Sequence, residues 1–462
     1  MPVLVLTILI AIGGLLALEL EQPLVLAGAL VAPIAIWTVF QRPLLAFAGA
    51  VVVGVWNVVL IPAGLPITPY KAGVLLILGL AVWRVAQGHR PLLPTLWLSA
   101  TLAALAAIIS LSELNSDVGD PGTLLVLGGV AITAYFAWQV LVSVDALRSM
   151  AVVLALGQLW MAQSVWAEVG WSGLMSGYVT RAGGLAAQPN ASGLIALCWF
   201  FMAAPLVFDR NAARWQRLIA LVSAPAFVYV VFGTASRSVT AATAAGLLSL
   251  VATQISSLRN AVTAVVVVVV LGPLAYSLAP DSYLARMEGT VEFDRDTGQA
   301  VKVNDSMRRD LATSSLVLIA QKPILGGGLR GSETARFRAG GRATTTHSTY
   351  LRMADSYGVP ALLLLLFAMA RTGFSVFRLV RFAKGELRIY GAGLFGAFIA
   401  LTVFSISSSS ILEKNVWFLI AVVCAVEGRI LAPQLQQVAL AAENPIAASQ
   451  PSVEVRSRQT AA

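Results

Sequence analysis

The chain has 462 residues, 58% of them apolar and only 11% charged, with a formal net charge of +9. A soluble domain carries about 25% charged residues, so this composition excludes a cytosolic globule. Apolar runs recur along the whole chain and exclude disorder for all but its ends.

In chain order, apolar runs predict about fourteen candidate spans, at 2–18, 24–40, 44–62, 72–87, 92–111, 122–142, 150–168, 190–208, 217–234, 238–254, 261–279, 356–371, 390–409 and 412–430. Most are long enough for a helix across a hydrocarbon core of about 30 Å. Several are short or hold Gly or Pro, so the expectation is an all-α polytopic transmembrane helix bundle of about 12–14 spans. The apolar N-terminus, with no basic region before it, reads as a retained first span. The strand alternation of a membrane barrel is missing. Five regions follow: N-terminal helices over 1–170, helices with outside Arg motifs over 171–279, a long extracytoplasmic loop over 280–355, C-terminal helices over 356–432, and a disordered cytoplasmic tail over 433–462.

Lys and Arg set the expected orientation. With the N-terminus inside, the inside segments hold Arg42, Arg84, Arg90, Arg148, Arg210, Arg214, Arg217 and Arg259, then Arg371, Arg378, Arg381, Lys384 and Arg388. Short outside loops such as SELNSDVGDP at 112–121 are poor in positive charge. Both termini are therefore expected in the cytoplasm. This basic excess reads as a topology signal, and nucleic acid is not an expected partner. Cys198 and Cys424 lie in apolar runs and read as small core residues. Two histidines, His89 and His347, are too few for a multi-His metal site.

The 280–355 connection holds eleven Lys and Arg residues. Long loops escape the charge rule, and loops of this length are usually functional or disordered. Within it, 307–321 reads as a helix with Met307, Leu311, Ser314 or Ser315, and Leu318 on one face. QKPILGGGLRG at 321–331 reads as turns. The loop is expected to cap the outer face.

The residues able to carry chemistry gather on that side. Arg237 lies in GTASRSVTAA, with no acidic neighbour in sequence. It reads either as an interfacial arginine or as an anion clamp, since guanidinium matches phosphate oxygens in a fork. Arg181 and Asn190 lie in YVTRAGGLAAQPNASG, where Asn190 sits near a helix N-cap and a helix N-terminus beside an arginine favours an anion. Arg308 and Arg309 open the helical part of the loop and point about 100° apart, so at most one aims squarely at a buried site. His347, in ATTTHSTYLRMADSYGVPALLLLL, has the titration range of a general base near neutrality. Asp294-Arg295-Asp296 is a D-x-D triplet that reads as a solvated turn, with metal holding as the alternative. Together, several arginines and one histidine around a capped face suit a polyanionic, lipid-borne substrate.

These stretches resemble the O-antigen ligase and polymerase superfamily. THSTYLRMADSYGVPALLLLL is similar to its H-x-x-Y/F-L…E-x-G-hydrophobic signature, and SMRRDLATSSLVLIAQKPILGGG to its R-x-x-L-W…P-hydrophobic-G-x-G stretch. TASRSVTAA looks like its S-R-small segment, and RAGGLAAQPNASGLIAL like its R-x-x-G…P-N segment. The resemblance covers roughly 180–370. Ser348 replaces the usual Asn, the acidic residue Asp355 is shifted, and Ala312 stands at the family's Trp, a register that favours Arg308 over Arg309 as the motif arginine.

The resemblance implies an inverting, metal-independent glycosyltransferase without a cofactor, in the bacterial inner membrane with its active site facing the periplasm. It implies a donor glycan on undecaprenyl diphosphate and a glycan or lipid acceptor. Arg237 and Arg308 or Arg309 would grip the diphosphate, Arg181 would assist, and His347 would activate or orient the acceptor hydroxyl. Polymerisation of O-antigen or exopolysaccharide is the first expectation, and ligation to lipid A–core the second. A lipid-linked glycan transporter is the alternative from another class.

Overall fold

The computed structural model describes residues 42–54, 69–88, 93–116, 118–175, 182–186, 188–254, 279, 283–284, 292–293, 300–301, 306–338, 347–409 and 414–443. Eight helices among them are long and apolar enough to cross a membrane, and the protein is a multi-pass, all-α helix bundle. A helix satisfies its backbone hydrogen bonds within itself, which lipid requires. The expected spans at 2–18, 24–40 and 261–279 lie outside the described residues.

The first helices are α1 (Pro43–Val53), α2 (Pro69–Ala86), α3 (Leu96–Leu114), α4 (Pro121–Val140) and α5 (Val144–Met175), the last broken at Gly170 (φ 63°, ψ −177°). Next come α6 (Pro189–Ala203), the short α7 (Pro205–Phe208), α8 (Arg214–Thr234) and α9 (Arg237–Gln254). The long connection contributes a two-residue antiparallel ribbon, Glu292–Phe293 with Ala300–Val301, then α10 (Ser306–Gln321) and α11 (Leu329–Arg338). The chain closes with α12 (Thr349–Phe382), α13 (Gly385–Ser407), α14 (Lys414–Val426), a π turn at Glu427–Leu431 and α15 (Ala432–Glu443). Pro43, Pro121 and Pro189 open their helices, where the missing N–H costs nothing.

Two expectations shift. The helix after the long connection starts at Thr349 and not at 356, because two turns of α12 precede its break at Gly358. The segment from 433, expected as a disordered tail, is helical to Glu443, since the π turn leads straight into α15; residues 444–462 lie outside the description.

The core centres on α6, whose Leu194, Leu197, Cys198, Trp199 and Phe201 are fully buried. Gly246 of α9 and Gly396 of α13 both face the Phe201 ring, and a Cβ at either would press into it. Small residues let these helices approach closely, as lipid-embedded packing favours. Cys198 and Cys424 are both free and buried, as their apolar runs imply.

The bundle has two polar ends. At one, Arg148 donates to Asp209 (Nε···Oδ2 2.8 Å) and Glu386 (Nη2···Oε2 3.0 Å), and Tyr390 donates to Asp209 at 3.0 Å. This ties the starts of α5 and α13 to the end of α7. Burial opposes the charge on Asp209, but the Arg148, Asn211 and Tyr390 hydrogen bonds outweigh it and hold its carboxyl below the usual range. The other end of α13 is about 34 Å away, from its 23 residues at about 1.5 Å each. The arginine motifs lie there.

Candidate active site

Arg237 is the first residue of α9 and is half-buried. The turn before it is unusual. Ala235 is left-handed (φ 43°), the one non-glycine residue with positive φ among those described. Such a conformation persists only where packing enforces it, and here Ala235 is fully buried beneath Tyr283. Tyr283 comes from the long connection, and its hydroxyl bonds Thr240 Oγ1 of α9 at 2.6 Å. Burial pushes the Tyr283 phenol up, so it stays a neutral partner. Thr240 is three residues past Arg237 and shares its side of the helix.

The structure brings the Pro189-Asn190 segment to this turn. Gln188 is the N-cap of α6, which leaves the Asn190 side chain to accept a hydrogen bond from Ser236 Oγ at 2.8 Å. Gly193, one turn further, faces Val239 so closely that a Cβ would collide with it.

The segment after Arg181 is pinned to the same place. Ala182 N donates to Gly233 O at 3.0 Å, at the end of α8. Gly183 N donates to Glu168 Oε2 at 2.6 Å, and Gly183 O accepts from Ser192 Oγ. Arg181 itself lies outside the described residues.

His347 stands two residues before α12 and is exposed. A serine run at the end of α13 links it to the Arg237 turn. Thr349 Oγ1 donates to Ser408 O at 2.7 Å, while Ser407 Oγ donates to Ser238 Oγ at 2.9 Å. Adjacent residues 407 and 408 thus hold the starts of α9 and α12 at one end of the bundle. Arg352, one turn into α12, donates to Ser409 Oγ at 3.2 Å and pairs with Glu333 of α11 at 3.0 Å.

The cap is docked through backbone geometry. α10 buries Leu311 and Ser315 against α12, and Ser315 Oγ donates to Asp355 Oδ2 at 2.8 Å. Arg309 is on the exposed face. Position 308 is in register with Leu311 and Ser315, three and seven residues on, although the Arg308 side chain lies outside the description. The glycine turn that follows inserts into the α12 break. Val359 N donates to Pro323 O at 2.7 Å, Gly327 N to Asp355 O at 3.0 Å and Gly328 N to Ser356 O at 2.8 Å. Gly358 has φ 85°, and a Cβ there would strike the Ile324 carbonyl. The glycine-rich stretch and the late Asp…Gly stretch are therefore two halves of one joint.

Sequence reading missed three contributors. Ser407 and Ser408 fell at the end of the span expected at 390–409 and carried no separate reading. Glu113 looked like part of a polar loop, yet it is buried and accepts from Leu329 N at 2.9 Å and Asp120 N at 2.8 Å, which anchors the start of α11. Glu168 had no local motif. A polar residue in or beside an otherwise apolar span is the available signal for all three. Among the described residues, no three of His, Cys, Asp and Glu are grouped to hold a metal, and Asp294 and Asp296 lie outside the description.

Residues 222–366, about a third of the chain, match the family model described as O-antigen ligase. The matched segment contains the Arg237 turn, α10, the glycine turn, His347 and the α12 break, and it supports the O-antigen ligase superfamily. No curated protein matches the chain.

Proposed function

We propose, from the O-antigen ligase match and the shared end of α9 and α12, that the protein transfers an undecaprenyl-diphosphate-linked glycan to an acceptor hydroxyl on the outer face of the inner membrane. The product is a lengthened O-antigen or exopolysaccharide chain. The observation that carries this reading is the pair of hydrogen bonds from Ser407 and Thr349, which couple the Arg237 and His347 segments through residues 407 and 408.

The chemistry asks for cations where the diphosphate leaves and a polar group where the acceptor arrives. Arg237, at a helix start, presents both a guanidinium fork and the positive end of the α9 dipole. Arg308 or Arg309, with Arg181 as an auxiliary contact, adds charge to offset what develops on the leaving diphosphate. His347 activates or orients the acceptor hydroxyl. The displacement inverts the anomeric centre without a metal, so transfer persists in EDTA. Ligation to lipid A–core is the second reading, favoured by the description of the matched family.

A deletion strain complemented with wild type or His347→Ala tests the proposal on gels of lipopolysaccharide and secreted polysaccharide. Loss of long chains with single repeats still on the acceptor supports polymerisation. Full-length chains left on the lipid carrier with a bare core support ligation. No change in either polymer overturns the proposal and favours transport.

A further inference from the structure

We infer that Glu168 is a catalytic residue, the carboxylate that takes the proton from the acceptor hydroxyl. This rests on the transferase reading above. Glu168 lies outside the segment matched by the family model, and no motif of the sequence marks it.

The argument begins with position. Glu168 is on the last turn of α5 before the Gly170 break. It shares a helix face with Met161, Ser164 and Val165, the side chains against which Gly184 rests. That face meets Gly233 as well, since Val165 Cγ1 stands where a Gly233 Cβ would be. Glu168 Oε2 is held by Gly183 N at 2.6 Å, and the neighbouring Ala182 N is held by Gly233 O at 3.0 Å. Gly233 leads within four residues to Arg237. The carboxylate is therefore built into the same junction as the arginine motifs.

Four other carboxylates described at this end have structural tasks. Glu113 holds Leu329 and Asp120. Asp120 caps α4 and pairs with Arg330. Glu333 pairs with Arg352, and buried Asp355 holds Ser315 and Ser356. Glu168 is anchored and yet exposed, which a group meeting an incoming sugar must be.

The chemistry also favours a carboxylate. Protonating an imidazole in the site proposed above would add a further cation to the arginines gathered there. A carboxylate becomes neutral on taking the proton from the attacking hydroxyl, as the general base of an inverting glycosidase does with water. In the step, the acceptor O–H gives its proton to a Glu168 oxygen. The acceptor oxygen bonds the anomeric carbon. The bond from that carbon to the diphosphate oxygen breaks, and its electron pair leaves with the diphosphate. His347 then orients the hydroxyl.

Glu168→Gln separates this role from a structural one, because the Gln carbonyl oxygen still accepts from Gly183 N. The assay uses purified full-length protein, with the polyprenyl-diphosphate glycan and acceptor lipids extracted from a strain deleted for the gene. Glu168→Gln is expected to keep the wild-type melting temperature and donor KM while kcat falls about 100-fold or more, and Glu168→Asp to recover part of the rate. Wild-type kcat in Glu168→Gln overturns the inference, and so does a loss of rate matched by a lowered melting temperature. Absence of product with the wild-type protein overturns the transferase reading instead.

Discussion

Ser236 donates a hydrogen bond to Asn190 at 2.8 Å and so joins two helix starts 46 residues apart in sequence. Neither residue carries charge. Their bond fixes the first turn of α9 against the first turn of α6, and Arg237 is the next residue.

Ser236→Ala removes the hydrogen bond from Ser236 Oγ to Asn190. The expected cost is about 1 kcal/mol of stability. If the Arg237 turn loosens to the same extent, transfer falls about fivefold. Thermal unfolding in detergent and a lipid-linked glycan transfer assay check the two parts separately.

Arg237→Ala is expected to abolish transfer in a well-expressed, normally eluting protein. Arg237→Lys keeps the charge and loses the planar fork, so it is expected to recover little activity. Full activity in the Lys variant would show that charge alone suffices.

His347 is exposed and precedes α12, so its removal leaves no cavity. His347→Ala is expected to fold and insert normally and to make no long-chain or ligated product. Normal product from a mutant expressed at wild-type level would remove His347 from the mechanism.

Gly358→Ala tests the joint between cap and bundle. A left-handed backbone costs a non-glycine residue about 1–3 kcal/mol, and the added Cβ would also drive Ile324 and the glycine turn out of the α12 break. The expected result is a lowered melting temperature and rapid proteolysis near 322–328. A variant as stable and protease-resistant as wild type would contradict the docked turn.

Asp209 predicts the pH response of the opposite end. Its carboxyl is held below its unfolded value, so its contribution is complete above the unfolded pKa of about 3.9. That contribution is lost as pH falls through the lower folded value. Asp209→Asn leaves the half-buried Arg148 with a weaker partner beside Glu386 and is expected to cost about 2 kcal/mol at neutral pH. The mutant's melting temperature is expected to vary less with pH below 4 than that of the wild type.

Much of the bundle was legible without coordinates. The spans expected at 190–208, 217–234 and 390–409 correspond to helices at Pro189–Phe208, Arg214–Thr234 and Gly385–Ser407, because runs of apolar residues of that length have one outcome in lipid. The helix expected over 307–321 spans Ser306–Gln321, with Leu311 and Ser315 buried on the side its period implies. Pro189 marked a helix start because the first turn has no use for the N–H that proline lacks and shares its fixed φ.

The joining of those helices was not legible. Which glycine stretch docks into which helix break depends on backbone surfaces meeting across 30 residues, and no local pattern encodes that. Gly358 and Ile324 are an example, as are Glu113 and the α11 start 216 residues away. The sequence by itself determined a membrane helix bundle with basic motifs around a long loop, because hydrophobicity and charge act residue by residue. Tertiary structure alone decided that the serines at 407 and 408 bind the Arg237 and His347 segments together, and that Glu168 reaches Gly183. Hydrogen bonds between distant segments form only once packing has excluded the water and lipid that would otherwise separate them.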